Sequence, residues 1–231
     1  MSTWVLLHGF TGAPASWDAV AAKLPGRVLA PALPGHGARP RPLEGWSAEI
    51  ARLATWLEGE GVRGAHLVGY SMGGRLGWHL LDRDDLFARA TLIGAHPGLD
   101  DAAARAERRA ADARWVALLE TEGLDAFLAA WEALPLWDTQ RRLPAHLADR
   151  QRALRHSHTA HGLAEALSAL GLAEMPTRPR ARVPVKLVVG ALDAKHRAIA
   201  EGLDAPLALV ADTGHNVVLE APSALVSELV P

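Results

Sequence analysis

Six short apolar runs punctuate the chain: Trp4–Leu7, Arg27–Ala30, Ala65–Gly69, Ala90–Ile93, Val185–Val189 and Leu207–Val210. Each is too short for a helix and is bounded by Gly, Pro or polar residues, so each reads as a buried strand. Helix-length segments separate most of them, among them Ser16–Lys23, Ser47–Glu58 and Met72–Leu81. Strands alternating with helices imply βαβ units, and so an α/β protein with a mostly parallel sheet flanked by helices. The alternation breaks between Pro97 and about Leu172. That stretch includes A-A-A-R-A-E-R-R-A-A-D-A-R-W-V-A-L-L-E and D-A-F-L-A-A-W-E-A-L, helical in composition with no strand candidate. A helical insertion at 97–172, a cap, is therefore expected on a core formed by 1–96 and 173–231. The Pro-rich M-P-T-R-P-R-A-R-V-P at 175–184 returns the chain to the sheet.

Composition narrows the function classes. At 231 residues there is room for an α/β domain with a sizeable core. A net charge of −2 gives no reason to expect nucleic acid or an anionic membrane as partner. Cysteine is absent, which excludes disulfides, thiolate chemistry and Cys-based metal sites. The opening M-S-T-W-V-L-L-H-G-F has no basic n-region, and its apolar run is too short for a secretory signal or a membrane span. A cytoplasmic protein is expected, a monomer or small homo-oligomer acting on a small molecule without a cofactor.

Candidate chemistry begins at G-Y-S-M-G-G-R, residues 69–75, between an apolar run and a helical one. Strand, G-x-S-x-G and helix make a nucleophile elbow, with Ser71 at the apex of a sharp turn. Glycines at 69 and 73 remove side chains that would clash there. The helix start then aims backbone N–H groups at any negative charge forming near Ser71. Such a serine needs a histidine and an acid later in the chain. Asp193 follows the run V-K-L-V-V-G-A-L, and His215 in D-T-G-H-N follows L-A-L-V-A, so both would emerge at one edge of the sheet. Asp212 is a rival acid, but three residues before His215 it would have to fold back. The Gly-rich L-L-H-G-F-T-G at 6–12 is the expected source of a second oxyanion-hole amide, making Phe10 and Met72 the backbone donors. His8, and His36 in L-P-G-H-G, read as structural loop histidines. H-S-H-T-A-H at 156–161 offers three histidines, but spacings of two and three do not put them on one helix face, and no metal is expected.

Arg75 raises a further question. Four residues past Ser71 it lies on the same side of the helix. It either holds a substrate carboxylate in a bidentate pair or pairs with an acidic residue of the cap.

H-G-F-T-G, L-P-G-H-G, G-Y-S-M-G-G-R, A-H-P-G-L, E-R-R-A-A-D, F-L-A-A-W-E-A-L-P-L-W and G-H-N-V-V-L-E together resemble a family of α/β-hydrolase fold. It is the 2-succinyl-6-hydroxy-2,4-cyclohexadiene-1-carboxylate (SHCHC) synthases of menaquinone biosynthesis. The resemblance runs over nearly the whole chain. It implies a lyase that removes pyruvate from SEPHCHC, a cyclohexene bearing a succinyl chain and an enolpyruvyl ether. Ser71, relayed to His215 and Asp193, would act as the base in a 2,5-elimination without an acyl-enzyme. The oxyanion hole would hold charge on the succinyl carbonyl oxygen. By the same resemblance Arg75, Arg108, Arg155, Tyr70 and Trp131 would bind this carboxylate-bearing substrate. Arg109 and Arg152 are register alternatives to Arg108 and Arg155, and packing is the plain alternative for Tyr70 and Trp131. The chain departs from the family in two ways. It starts almost directly in the H-G-F strand, so the N-terminal edge hairpin of many members is missing and a sheet edge should be exposed. Lys195-His196 stands where the family often has K-F, which should alter the wall near the acid. A carboxylesterase or thioesterase with the same three residues is the main rival, and a catalytically silent binding scaffold a second.

Overall fold

The computed structural model describes residues 2–38 and 40–230. Six strands, β1 (Thr3–Leu7), β2 (Arg27–Leu29), β3 (Ala65–Tyr70), β4 (Phe87–Ile93), β5 (Val185–Gly190) and β6 (Leu207–Val210), form one sheet. All neighbours are parallel, in the order β2-β1-β3-β4-β5-β6. Around it lie α1 (Asp18–Ala21), α2 (Trp46–Gly59), α3 (Met72–Trp78), α4 (Ala102–Thr121), α5 (Gly123–Glu132), α6 (Ala145–His156), α7 (Ala160–Leu170), α8 (Ala194–Glu201), α9 (Val217–Glu220) and α10 (Pro222–Leu229).

The strands read as continuous apolar runs because both faces are covered. Val5, Leu7, Leu67, Leu92 and Leu187 point to one face, against Leu57 of α2 and Leu76 of α3. Their neighbours Trp4, Leu6, Val68, Ile93 and Val188 point to the other, against Val20 of α1 and Leu225 of α10. Side chains alternate along a strand, so each run feeds two cores. Every residue of β3 is buried, and truncating Leu67 to Ala there should cost roughly 2–5 kcal/mol.

Two helices are shorter than their sequence patterns suggest. Pro14 starts a 3₁₀ turn, Pro14–Trp17, before α1, so Ser16–Lys23 is not one helix. The helix after Ser71 ends at Trp78 rather than Leu81, closing with tight turns from His79 to Leu76 and Leu80 to Gly77. Between β4 and β5 come α4 to α7 and the 3₁₀ helices Pro135–Arg142 and Leu172–Glu174, with no strand among the described residues. Asp101 caps α4 by accepting from Ala104 N, and Thr159 caps α7 by accepting from Gly162 N. Leu119, Phe127, Leu128, Leu163 and Leu167 give these helices their own apolar cluster. The three-residue β2 forms one sheet edge and is partly exposed.

The strand order reverses between β1 and β3, because the chain first moves outward to β2 and then crosses back. In open parallel sheets the crevice at such a switch point, beyond the carboxyl ends of the strands, is where ligands bind. The loop after β1 is H-G-F-T-G, and β3 passes through Ser71 alone into α3, within Y-S-M-G-G-R.

Candidate active site

Ser71 sits at the end of β3 with φ 50° and ψ −109°, a conformation that costs a non-glycine residue of order 1–3 kcal/mol. Packing on both sides enforces it. A Cβ on Gly73 would lie 2.2 Å from the Leu7 carbonyl oxygen, so only glycine lets α3 start this close to β1. A Cβ on Gly9 would meet the Tyr70 ring at 2.7 Å and approach the Ser71 Cβ to 3.4 Å. The H-G-F loop therefore rests directly on the elbow. The Thr11 amide donates to His36 Nε2 at 3.2 Å and Gly12 N donates to the Gly9 carbonyl at 3.0 Å, bracing the turn around Phe10. As the first residue of α3, Met72 has an amide with no intrahelical acceptor.

The structure brings Ser71, His215 and Asp193 into one hydrogen-bonded line. The Ser71 hydroxyl lies 3.1 Å from His215 Nε2, and His215 Nδ1 lies 2.6 Å from Asp193 Oδ2. Each comes from its own strand end. Asp193 is the N-cap of α8 and accepts from His196 N at 3.2 Å. His215 lies in a loop pinned by Glu220, whose two oxygens accept from Gly214 N at 2.8 Å and Asn216 N at 3.3 Å, which explains the spacing of G-H-N-V-V-L-E. Asp212 is exposed and turned away, with its carbonyl accepting from Arg142.

Charge follows burial. Burial opposes ionisation of Asp193, but hydrogen bonds from His196 and His215 prevail and hold its carboxyl well below the usual range. Burial lowers the proton affinity of His215, opposed by the Asp193 hydrogen bond and reinforced by the nearby His196 and Lys195. His215 therefore stays neutral at neutral pH, the form in which Nε2 can accept a proton.

A cavity of about 630 Å³ opens beside this line, bounded by Phe10, Arg75, His96, Arg108, Trp131 and Trp137 among others. Arg75 is buried and donates to the Leu170 carbonyl at 3.0 Å, and among the described residues it pairs with no carboxylate. Burial, with the neighbouring charge of Arg108, lowers its pKa to about 10 against the pull of Asp112, so it remains a cation. Arg108 holds Asp112 at 2.9 Å on the cavity wall, whereas Arg109 lies outside, paired with Glu174. Trp131 lines the cavity and also stacks on Phe127 at 5.6 Å and meets Phe10 at 5.5 Å, so packing and lining coincide in one residue. Tyr70 packs on His215, with its hydroxyl buried and unpartnered.

Arg155 is placed elsewhere. It is buried, bound to Glu132 at 2.8 Å and stacked over Trp137, and it borders a second cavity of about 140 Å³ that Tyr70, Phe10 and Trp137 also line. Arg152 is exposed. Trp137, which packs on His215 at 5.7 Å, and Asp112, which steadies Arg108, escaped the residue-level reading. Both end quoted motifs, which was the available signal.

The histidines of 156–161 are dispersed: His156 faces Asp125, His161 faces Glu165, and His158 is buried. His158 Nδ1 accepts from Gly37 N at 2.9 Å and its Nε2 reaches the Thr11 carbonyl at 3.2 Å, tying the insertion to two core loops. His8 and His36 likewise accept from backbone amides, of Leu33 and Thr11. Asp193, His196 and His215 have potential ligand atoms within 4.8 Å of one another. Both imidazoles direct Nδ1 at one carboxylate at hydrogen-bond distance, so the set reads as two N–H donors on one acceptor.

A parallel sheet with a serine elbow, a histidine after the last strand and a Gly-rich loop after the first defines a class, and the comparisons agree with it. The chain belongs to the alpha/beta hydrolase family, whose model matches residues 4–229. It is 31% identical to the 2-succinyl-6-hydroxy-2,4-cyclohexadiene-1-carboxylate synthase of Klebsiella pneumoniae, covering 96% of this chain and 90% of that protein. With the same-named enzyme of Salmonella typhimurium it shares 32% identity over 97% and 91%. Among solved structures it is similar to MenH from S. aureus, with TM-score 0.92 and 27% identity over 99% of this chain and 92% of the other. A malate-bound thermophilic esterase from Thermogutta terrifontis superposes with TM-score 0.82 at 25% identity, over 99% and 88%.

Proposed function

We propose that this protein is an SHCHC synthase, a carbon–oxygen lyase that eliminates pyruvate from SEPHCHC in menaquinone biosynthesis. Its relatives carry that name over nearly the full chain. The observation that carries the reading is Arg75, a buried cation without a carboxylate partner among the described residues, in the same cavity as Ser71. Burying a guanidinium without a counter-ion costs the fold stability, and a substrate carboxylate offsets that cost.

The chemistry follows from the geometry. His215 Nε2 draws the Ser71 hydroxyl proton, and Asp193 steadies the imidazolium through Nδ1–H. The Ser71 oxygen then takes the ring proton of the substrate. Negative charge moves to the succinyl carbonyl oxygen, where the Phe10 and Met72 amides receive it. As the charge returns, the ring carbon–oxygen bond to the enolpyruvyl group breaks, and the group departs as an enolate that takes up a proton at its methylene carbon to become pyruvate. Arg75 and Arg108 hold carboxylates of the substrate, Trp131 and Tyr70 form apolar walls, and Arg155, held by Glu132 over Trp137, stays outside this set of contacts. No step calls for a cofactor.

The insertion at 97–172 serves as a cap over the core of 1–96 and 173–231. The reaction is placed in the cytoplasm, in a monomer or small homo-oligomer without nucleic-acid or membrane partners. That placement is consistent with the near-neutral charge and with the lack, among the described residues, of any helix long and apolar enough to cross a membrane.

A carboxylesterase or thioesterase working through an acyl-enzyme is the second reading, favoured by the likeness to the malate-bound esterase. Pyruvate release from enzymatically generated SEPHCHC separates the two. Rapid release, lowered at least about 10³-fold in Ser71→Ala, is expected. No release, together with brisk Ser71-dependent turnover of aryl esters, would leave the esterase.

A further inference from the structure

His196 has no part in the chemistry above, yet it touches the acid. Its Nδ1 lies 3.0 Å from Asp193 Oδ1 and 2.8 Å from Oδ2, while its own backbone N–H donates to Oδ1 at 3.2 Å. Its ring lies 4.3 Å from that of His215, tilted by only 30°. Its side chain is 14% exposed and lines the Ser71 cavity. One carboxylate thus serves two imidazoles, His215 on Oδ2 and His196 astride both oxygens.

We propose that His196 is a positioning residue of this site: its Nδ1–H fixes the Asp193 carboxylate and draws part of its charge away from His215. The inference rests on the reading of Ser71, His215 and Asp193 as the working base. A carboxylate that accepts a second hydrogen bond supports an imidazolium less strongly, because its charge is shared between two donors. The other groups facing this pair are Lys195 on the same turn, His96 from the loop after β4, and Ser71 and Tyr70 from the elbow. Lys195 and His96 cannot replace the effect, since neither is hydrogen-bonded to Asp193. The consequence is a base that stays neutral, and so competent, to lower pH than an Asp–His pair without the second donor.

The test compares wild type with His196→Phe, which keeps a ring of similar size but no donor, and His196→Asn, which restores an N–H near the Nδ1 position. Two pH profiles are read: pyruvate release from SEPHCHC, and the rate at which a fluorophosphonate labels Ser71, which needs neutral His215 but not the natural substrate. The Phe variant is expected to move the acid limb of both profiles upward by about half a pH unit or more. The Asn variant should remain close to wild type. If the Phe variant does not fold, His196→Leu supplies the same donor-free comparison. Acid limbs unchanged in the donor-free variant, or equal loss of rate in the Phe and Asn variants with no shift, would reduce His196 to packing and overturn the inference. Labelling that shifts as expected without any pyruvate release would instead uphold His196 and sink the lyase reading.

Discussion

Replacing Arg75 with Met should leave the protein at least as stable as wild type while removing most of its activity. Met keeps the apolar stem and discards the guanidinium. In the folded protein that guanidinium is held at a pKa of about 10 against an ordinary 12.5, by burial first and then by Arg108. At 1.36 kcal/mol per unit, the charge costs the folded state about 3 kcal/mol. The sign is that of a depressed cation: the folded state binds the proton less tightly than the unfolded one, so the charge opposes folding at neutral pH. Against this, the Leu170 carbonyl loses its donor, worth about 1–3 kcal/mol if it stays unpaired. The net change lies between about 0 and 2 kcal/mol in favour of the variant, or a Tm unchanged to several degrees higher for a chain of this size. Substrate recognition moves the other way. A carboxylate left without its buried partner costs about 3–5 kcal/mol, so kcat/KM should fall by roughly 10²–10⁴-fold. A coupled pyruvate assay beside a thermal melt reads both quantities. A Tm lowered by more than about 5 °C, with kcat/KM of the folded fraction within threefold of wild type, would make Arg75 a structural tie to α7 and refute the carboxylate role.

Arg108→Met is expected to raise KM for SEPHCHC about tenfold and Arg109→Met to leave it unchanged, since only Arg108 faces the cavity; steady-state kinetics on the pair decides it. Gly73→Ala would place a methyl 2.2 Å from the Leu7 carbonyl oxygen. The clash should cost about 1–3 kcal/mol despite the gain in helix propensity, visible as a lowered urea midpoint together with lost activity. Stability should decline as pH falls from 6.5 toward 4, because burial lowers the His8 pKa to about 4 and the unfolded chain takes up that proton first. His8 alone contributes roughly 3 kcal/mol over that window, and urea titrations at stepped pH measure the slope.

Local pattern reaches a long way into this fold and stops at identifiable places. Apolar runs bounded by Gly and Pro locate all six strands to within a few residues, since a strand buried on both faces has little choice of composition. Helix ends were less legible: the breaks at Pro14 and after Trp78 depend on how each segment meets its neighbours. The elbow was readable because Gly73 and Ser71 answer a steric demand within one turn. Asp193 and His215 were readable because each follows its own strand, and parallel strands deliver their ends to one edge. The arginines of the insertion were less so. Nothing local distinguishes Arg108 from Arg109, or tells that Arg155 turns to Glu132 and Trp137 instead of to the Ser71 cavity.

The chain by itself determined the parallel α/β architecture, the strained serine, the order of serine, acid and histidine, and the presence of a helical insertion. These depend on short-range sterics and on burial patterns that sequence neighbours share. Only the tertiary structure decided that Arg75 donates to the Leu170 carbonyl, that Glu220 clamps the His215 loop, that Phe10 locks into the aromatic cluster of the insertion, and that His196 shares the carboxylate of Asp193. Each of these joins residues from separate elements. Such contacts follow from how helices and loops settle over the sheet, a result of packing that no local pattern carries.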